Sequence, residues 1–316
     1  MMNTQKEITE IKQKYNALYL TWVINNICPN KCSYCPPILH EGANHHYDWE
    51  AAKSFSQHLI DKYPKIHLAI AGGEPTMSPF FTNLVDMFYQ AGHPVGVTTN
   101  GARTVRYYEE IASKLSYVVL SYHYAFKDPD FLEKALVCGE KTKSTVHVMM
   151  DSRYFDKCLE MFYKFAEYDT LMVEAVRINE WIKGDTSGRD YTDKQLDILT
   201  SLPSIPPKID NSTRKVLTAA SFHYNDNSFT DWGSAQLLMN EGKNRFLGWR
   251  CNIGIESLFV HFHGNIQRGN CSVGNPVFIG NVNDFNNINW PSAPVICTQI
   301  ECQCSTDIYV SKKKID

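Results

Sequence analysis

Residues 18–35 read LYLTWVINNICPNKCSYC, an apolar run of β type, Leu18–Ile27, that leads straight into three cysteines. The spacing is Cys28-x3-Cys32-x2-Cys35, with Tyr34 directly before the last. Three thiolates on one short loop can hold three corners of a cubane iron–sulfur cluster and leave the fourth iron without a protein ligand. An open coordination position is where a metal takes up substrate, whereas a site closed by four ligands is structural or carries electrons. A zinc knuckle or loose thiols are the competing readings, and His40, His45 and His46 lie near enough to supply zinc with a fourth ligand.

Working outward, the same kind of run recurs at Ile66–Ala71, Pro94–Thr99, Tyr117–Tyr122, Thr145–Met150 and Leu171–Ile178. These runs are rich in β-branched residues and nearly continuous in apolar character, as strands buried on both faces are. Amphipathic helices fit between them. Asp48 is placed to cap a helix through about Lys62. Ser78-Pro79 and Asp128-Pro129 look like helix starts, with Gly92 and Gly139 as the matching ends. Thr192 with Gln195 forms a capping box for a further helix. Six strand–helix units in this order predict an α/β fold with a parallel sheet curled into a partial (β/α)6 barrel; a flat doubly wound sheet is the alternative. Pro203, Pro206 and Pro207 place a boundary there, giving a core over 15–205 and a second domain over 206–316. The second part has short strand-like pieces, including a hairpin of Phe259–Phe262 and Ile266–Arg268 about a Gly264-Asn265 turn.

Composition narrows the function classes. The 316 residues carry a net charge of −3, so the basic excess of a nucleic-acid surface is missing. No apolar run reaches the roughly 18 residues of a membrane span, and Met1–Lys14 lacks the core of a signal peptide, so a cytoplasmic location is expected. Disulfides are the wrong default for ten cysteines in a reducing compartment. Cys138 and Cys158 fall on helices and read as small buried hydrophobes. The other eight form an early group of three and a late group: Cys251, Cys271, Cys297, Cys302 and Cys304.

The early group with its aromatic residue before the third Cys resembles the signature of the radical S-adenosylmethionine (SAM) superfamily. A second signature follows the second strand: Gly72-Gly73-Glu74-Pro75. The resemblance implies that this segment meets the SAM amino group. Glycines let backbone approach closely, and the Gly73 carbonyl and Glu74 carboxylate are acceptors for an ammonium. Thr98-Thr99-Asn100-Gly101 after the third strand looks like the family's Thr-Asn-Gly turn, or an ordinary strand-ending turn. Ser121, with His123 beyond it, sits where family members place a polar residue against SAM. Every one of these segments falls at the C-terminal end of its strand, the rim on which α/β barrels build active sites. Arg177 and Glu174 on the sixth strand are weaker candidates, which a core salt bridge would explain equally.

The late group resembles the SPASM and twitch extensions that bind auxiliary clusters. Five cysteines suit a single auxiliary [4Fe-4S] cluster, with Cys251 and Cys271 the firmest ligands and two of Cys297, Cys302 and Cys304 completing it; Asp307 and Lys312 follow. A zinc-ribbon-like site is the alternative. The resemblance implies an enzyme in which SAM, bound to the first [4Fe-4S] cluster, is cleaved to a 5′-deoxyadenosyl radical that takes a hydrogen atom from substrate. It also implies a reductant such as flavodoxin or ferredoxin. No catalytic residue is assigned. Only about 17 residues precede the first strand, which favours a small sugar- or aminocyclitol-like substrate; a peptide substrate is the alternative. A zinc or electron-transfer protein without catalysis is the reading from another class.

Overall fold

The computed structural model describes residues 6–42, 47–178, 188–211, 220–231 and 235–315. His45 and His46 lie outside them. In chain order the elements are β1 (Ile8–Gln13), β2 (Leu18–Val23), α1 (Trp49–Lys62), β3 (Ile66–Ala71), α2 (Phe81–Gln90), β4 (Val95–Thr99) and α3 (Val105–Ile111). Then come β5 (Tyr117–Tyr122), α4 (Phe131–Lys141), β6 (Lys143–Met149), α5 (Phe155–Ala166), β7 (Leu171–Val176) and α6 (Asp193–Ser201). The rest is built of short pieces: β8 (Ala220–Tyr224), β9 (Phe229–Thr230), α7 (Ala235–Asn240), β10 (Arg250–Cys251), β11 (Ser257–Val260), β12 (Asn265–Gln267), β13 (Phe278–Asn281), β14 (Val295–Ile296), α8 (Ser305–Ile308) and β15 (Lys312–Lys313).

Two compact units emerge, interleaved along the chain rather than divided at one point. One comprises residues 22–49 and 68–216; the other comprises 1–21, 50–67 and 217–316. In the first, strands follow one another in sequence order through β3, β4, β5, β6 and β7, each pair parallel. That sequential parallel order is that of a partial α/β barrel, as the strand rhythm predicts. Val97, Val118, Leu120, Val146 and Val148 are at most 1% exposed, so one face of this sheet is fully covered. Cys138 and Cys158 belong to that apolar filling.

Several local expectations need correction. Ser78-Pro79 does not start α2. Phe80 is its N-cap and makes no side-chain bond, while Pro75 begins a separate 3-10 turn capped by Glu74. Asp130, not Asp128, precedes α4; the Asp128 carboxylate instead accepts from the Asp130 N–H and pairs with Lys134. Gly139 lies inside α4. A Cβ there would stand 2.8 Å from Thr170 Oγ1, so this glycine provides close approach rather than termination. Gly92 does follow the end of α2, with φ +80°, and the Thr192/Gln195 capping box is formed.

The other unit contains a six-stranded sheet in the order β14-β10-β15-β1-β8-β9. Its central strand β1 falls in the polar N-terminal stretch where no strand is expected. β1 pairs antiparallel with β15 and β8 and buries Ile11 completely against Phe222, Phe246, Trp249 and Ile308. The hairpin is present with a shifted turn. Phe259 pairs with Gln267 and Val260 with Ile266, and Asn265 opens β12 instead of sitting in the turn. Gly264, at φ +82°, closes the loop by donating to the His261 carbonyl. Among the described residues no helix is long and apolar enough to cross a membrane.

Candidate active site

The end of β2 is tied to the end of β3 by backbone bonds that also fix the loops beyond. Ile24 N–H donates to Ala71 O, Gly73 N–H to Asn25 O and Glu74 N–H to Ile27 O. The Gly-Gly-Glu segment is therefore clamped to the segment that enters the cysteine loop. At Gly73 an added Cβ would meet the carbonyl oxygens of Leu39 and Ile27 at 2.3 and 2.5 Å, and at Gly72 it would meet Asn25 Oδ1 at 2.8 Å. Backbone passes backbone here with no room for a side chain.

Glu74 is wholly buried and holds the rim together. Its Oε1 accepts from Thr76 N–H (3.1 Å), Thr76 Oγ1 (2.6 Å) and Thr99 Oγ1 (2.7 Å), and its Oε2 accepts from Asn100 N–H (2.7 Å). Burial pushes its carboxyl above the ordinary carboxylate range, against the lowering effect of those four donors. The carboxylate thus fixes the turn after β4 relative to β3. Pro75 starts the 3-10 turn that Glu74 caps.

The three thiols open into one cavity of about 220 Å³, lined also by Tyr34, Gly72, Gly73, Thr99, Asn100, Ser121, His123 and Met149. Asn100 Nδ2 donates to Cys28 Sγ at 3.3 Å, and Cys32 Sγ lies 3.5 Å from His123 Nδ1. The Tyr34 hydroxyl shares a hydrogen with the same nitrogen at 2.5 Å, with the two rings stacked. Burial pulls His123 down to about 4, so its ring is neutral, and burial pushes the Tyr34 phenol up. Cys32 is pushed up to about 12 and Cys35 to about 11, first by burial and then by neighbouring cysteines; Cys28 also rises by burial. Such thiols keep their protons until a cation offsets the charge. The Oδ1 atoms of Asn25 and Asn100 are buried with no partner; Asn100 lines the cavity, and Asn25 lies behind Gly72. Three thiols, the unused Asn100 acceptor and a glycine cradle fit a thiolate-bound cluster with an ammonium-bearing ligand. Among the described residues no three His, Cys, Asp or Glu side chains converge on one metal ion. Cluster ligands bind different irons, so they need not converge in that way.

The remaining expected residues divide. Ser121 lines the cavity. Arg177 is exposed just past β7, its guanidinium 5.8 Å from the Tyr191 ring centroid. Glu174 does not pair with it; Glu174 Oε2 stands 3.1 Å from His147 Nε2, and Oε1 accepts from Ser204 Oγ at 2.6 Å. Register aligns Ser121, His147 and Glu174 across β5, β6 and β7, a polar row that apolar-run reading passes over. Asn25 was also missed, because only its fold neighbours reveal the orphaned oxygen.

In the other unit Cys251, Cys271, Cys297 and Cys302 line one small cavity of about 20 Å³ with Phe246, Asp307 and Lys312. Cys304 is not among its walls; its Sγ lies 2.9 Å from Thr306 Oγ1. Backbone holds the loops: Cys297 N–H donates to Trp249 O, Cys302 N–H to Asn244 O, and Cys271 N–H to Asp307 Oδ2. Burial raises the thiols of Cys251, Cys271 (to about 12) and Cys302, and raises Asp307 to about 6.

Residues 22–171 match the profile of the Radical SAM superfamily. That stretch runs from the end of β2, just before the cysteine loop, through the first residue of β7. No curated protein matches the chain. Among solved structures, Streptococcus suis SuiB aligns over 85% of this chain at 14% identity with a TM-score of 0.50; this chain spans 64% of SuiB. A structure of anSMEcpe with bound AdoMet and Cp18Cys peptide aligns over 85% of this chain and 78% of its own, at 16% identity and a TM-score of 0.52. At such identities the likeness is one of fold. A match to that profile brings with it the expectation of a four-iron cluster and SAM.

Proposed function

We propose that the chain is a radical SAM enzyme that oxidises or otherwise modifies a C–H position of a peptide substrate. The observation that carries this is the convergence of Cys28, Cys32 and Cys35 on a cavity edged by Gly72, Gly73, Asn100 and Ser121. Bound there, a reduced cluster and SAM would supply radical chemistry able to remove a hydrogen atom from an unactivated carbon. The chain's own part is placement. Asn100 donates to Cys28 Sγ, the Tyr34–His123 pair packs beside Cys32, and Glu74 fixes the Thr99–Asn100 turn. Gly73 and Asn100 line the cavity, and the Gly73 carbonyl and the unused Asn100 Oδ1 are acceptors suited to the SAM ammonium. Arg177 is exposed and is not among the residues that line the cavity. Met149 adds an apolar wall that keeps water from the reacting carbon.

The likeness to anSMEcpe, solved with a peptide, favours a peptide over a small sugar-like molecule. The late site reads as an auxiliary four-iron cluster on Cys251, Cys271, Cys297 and Cys302, with Cys304 outside it. Four protein ligands leave no iron for substrate, which suits it to take up the second electron of an oxidation. A flavodoxin- or ferredoxin-type reductant would feed the first cluster. The test is anaerobic reconstitution, iron and sulfide counts, and release of 5′-deoxyadenosine from SAM with dithionite. Cys32→Ala should abolish release and Cys304→Ala should not. A fully loaded chain that leaves SAM intact refutes the reading.

A further inference from the structure

Beside the late thiols lies a buried ammonium that the proposed chemistry leaves unused. Lys312 is 4% exposed and sits on β15, in register with Cys251 of β10 on one side and Ile11 of β1 on the other. Its Nζ donates to the carbonyls of Asp307 (2.6 Å) and Ile308 (2.9 Å) and stands 4.7 Å from the Phe246 ring centroid. It lines the same small cavity as Cys251, Cys271, Cys297 and Cys302. Among the described residues no ion pair within 4.0 Å includes Lys312. The Asp307 carboxylate on the same cavity is turned to the Cys271 N–H instead.

An ammonium taken out of water costs several kcal/mol unless an anion compensates it. Two carbonyl dipoles and an aromatic face compensate in part. Four thiolates around an iron–sulfur core carry a net negative charge, and they would stand on the walls that Lys312 shares. We infer that Lys312 is the built-in countercharge of the late site and raises the reduction potential of the cluster held there. This rests on the four-thiol reading given above. The potential of such a cluster depends on nearby charge and on solvent exclusion. A fixed positive charge favours the reduced, more negative state. Asp307 works in the opposite sense, as a carboxylate on the same cavity. Lys312 is a positioning and tuning residue: it touches neither substrate nor SAM.

The test uses the full chain with Cys28, Cys32 and Cys35 replaced by Ala, so that only the late site can hold a cluster. After anaerobic reconstitution, iron is counted and the midpoint potential is read by redox titration with electron paramagnetic resonance. In that background Lys312→Met should move the midpoint to more negative potential, Lys312→Arg should leave it in place, and Asp307→Asn should move it upward. A Lys312→Met midpoint at or above the parent's overturns the inference. Should Lys312→Met lose its cluster, Lys312→Gln is the second probe. Loss in both with full retention in Lys312→Arg supports the countercharge, and loss in all three overturns it, since shape rather than charge then decides. If the triple-Ala parent binds no iron, the four-thiol reading itself has failed, an outcome distinct from an unmoved potential.

Discussion

Replacing Glu74 with Gln removes one charge and one oxygen from the rim while keeping its shape, so the consequence can be worked from the hydrogen bonds. The carboxylate accepts four, three at Oε1 and one at Oε2. If the amide oxygen keeps the three-bond position, its NH2 faces the Asn100 N–H, donor against donor. One bond to a charged acceptor is lost, worth about 1.5–3 kcal/mol, and three weaken toward the neutral value of about 1 kcal/mol each. Neutralising a group whose ionisation burial opposes more than its donors favour returns the charge-dependent part of this. What remains is the donor-against-donor contact at the Asn100 N–H, a loss of about 1–3 kcal/mol. The assay is urea unfolding of the metal-free, reduced chain followed by circular dichroism. The sign of the pH dependence is also fixed. A carboxyl raised in the folded state stabilises most below its unfolded pKa and loses that contribution as pH rises through the folded one. The gap between parent and Glu74→Gln should therefore be wider near pH 4 than near pH 8. Equal stabilities at both pH values, or a gap that widens with pH, would falsify the account of Glu74 as a buried tether. The reconstituted variant should also bind SAM more weakly, because the Asn100 turn is no longer held.

Three further outcomes follow from other parts of the molecule. Gly73→Ala should cost about 1–3 kcal/mol by overpacking and reduce iron retained by the early thiols, because the new Cβ meets backbone oxygens that cannot rotate away; iron counts and the unfolding midpoint measure both. His67 has both ring nitrogens shielded from water, and its pKa is lowered to about 4 by burial. The neutral ring stabilises fully above the unfolded value of about 6.5, and up to about 3 kcal/mol is lost as pH falls through 4, so His67→Gln should flatten the acid limb of a stability–pH curve. Thr192→Ala breaks the capping box of α6 and should cost about 1 kcal/mol in urea unfolding.

How much of this was legible from residue order depended on whether the cause was local. β3 and β5 fall where the apolar runs place them, with fully buried positions alternating with partly buried ones that are themselves mostly apolar. β1 left none: Glu10 and Lys12 flank its buried Ile11, and only its partners β15 and β8, far along the chain, make that position a core. Proline and glycine misled at Ser78-Pro79 and Gly139 for the same reason. Pro75 had taken the turn, and Gly139 answers to Thr170 across the fold. The cysteine loop stands out by its spacing and the Gly-Gly-Glu segment by its resemblance to a family motif, both of which are local in the chain. The work done by Glu74 could not, because two of its three partner residues, Thr99 and Asn100, lie at the end of β4 and just beyond it.

The two thiol groups also differ in a way that bears on what each can do. The early thiols face about 220 Å³ of space edged by the unpartnered Asn100 Oδ1, whereas the late ones close on about 20 Å³. A group that must admit a second molecule needs room and unmet hydrogen-bonding capacity; a group that only passes charge needs enclosure and a controlled field. The late cavity has four thiols, a buried ammonium and a buried carboxylate in its walls, and little space for a substrate atom. If the late site nonetheless bound substrate directly, one of its four thiols would have to withdraw and Cys304 would be the nearest replacement in the chain. Cys304→Ala should then change the spectrum of the late cluster on adding substrate, whereas under the closed-site reading it changes nothing.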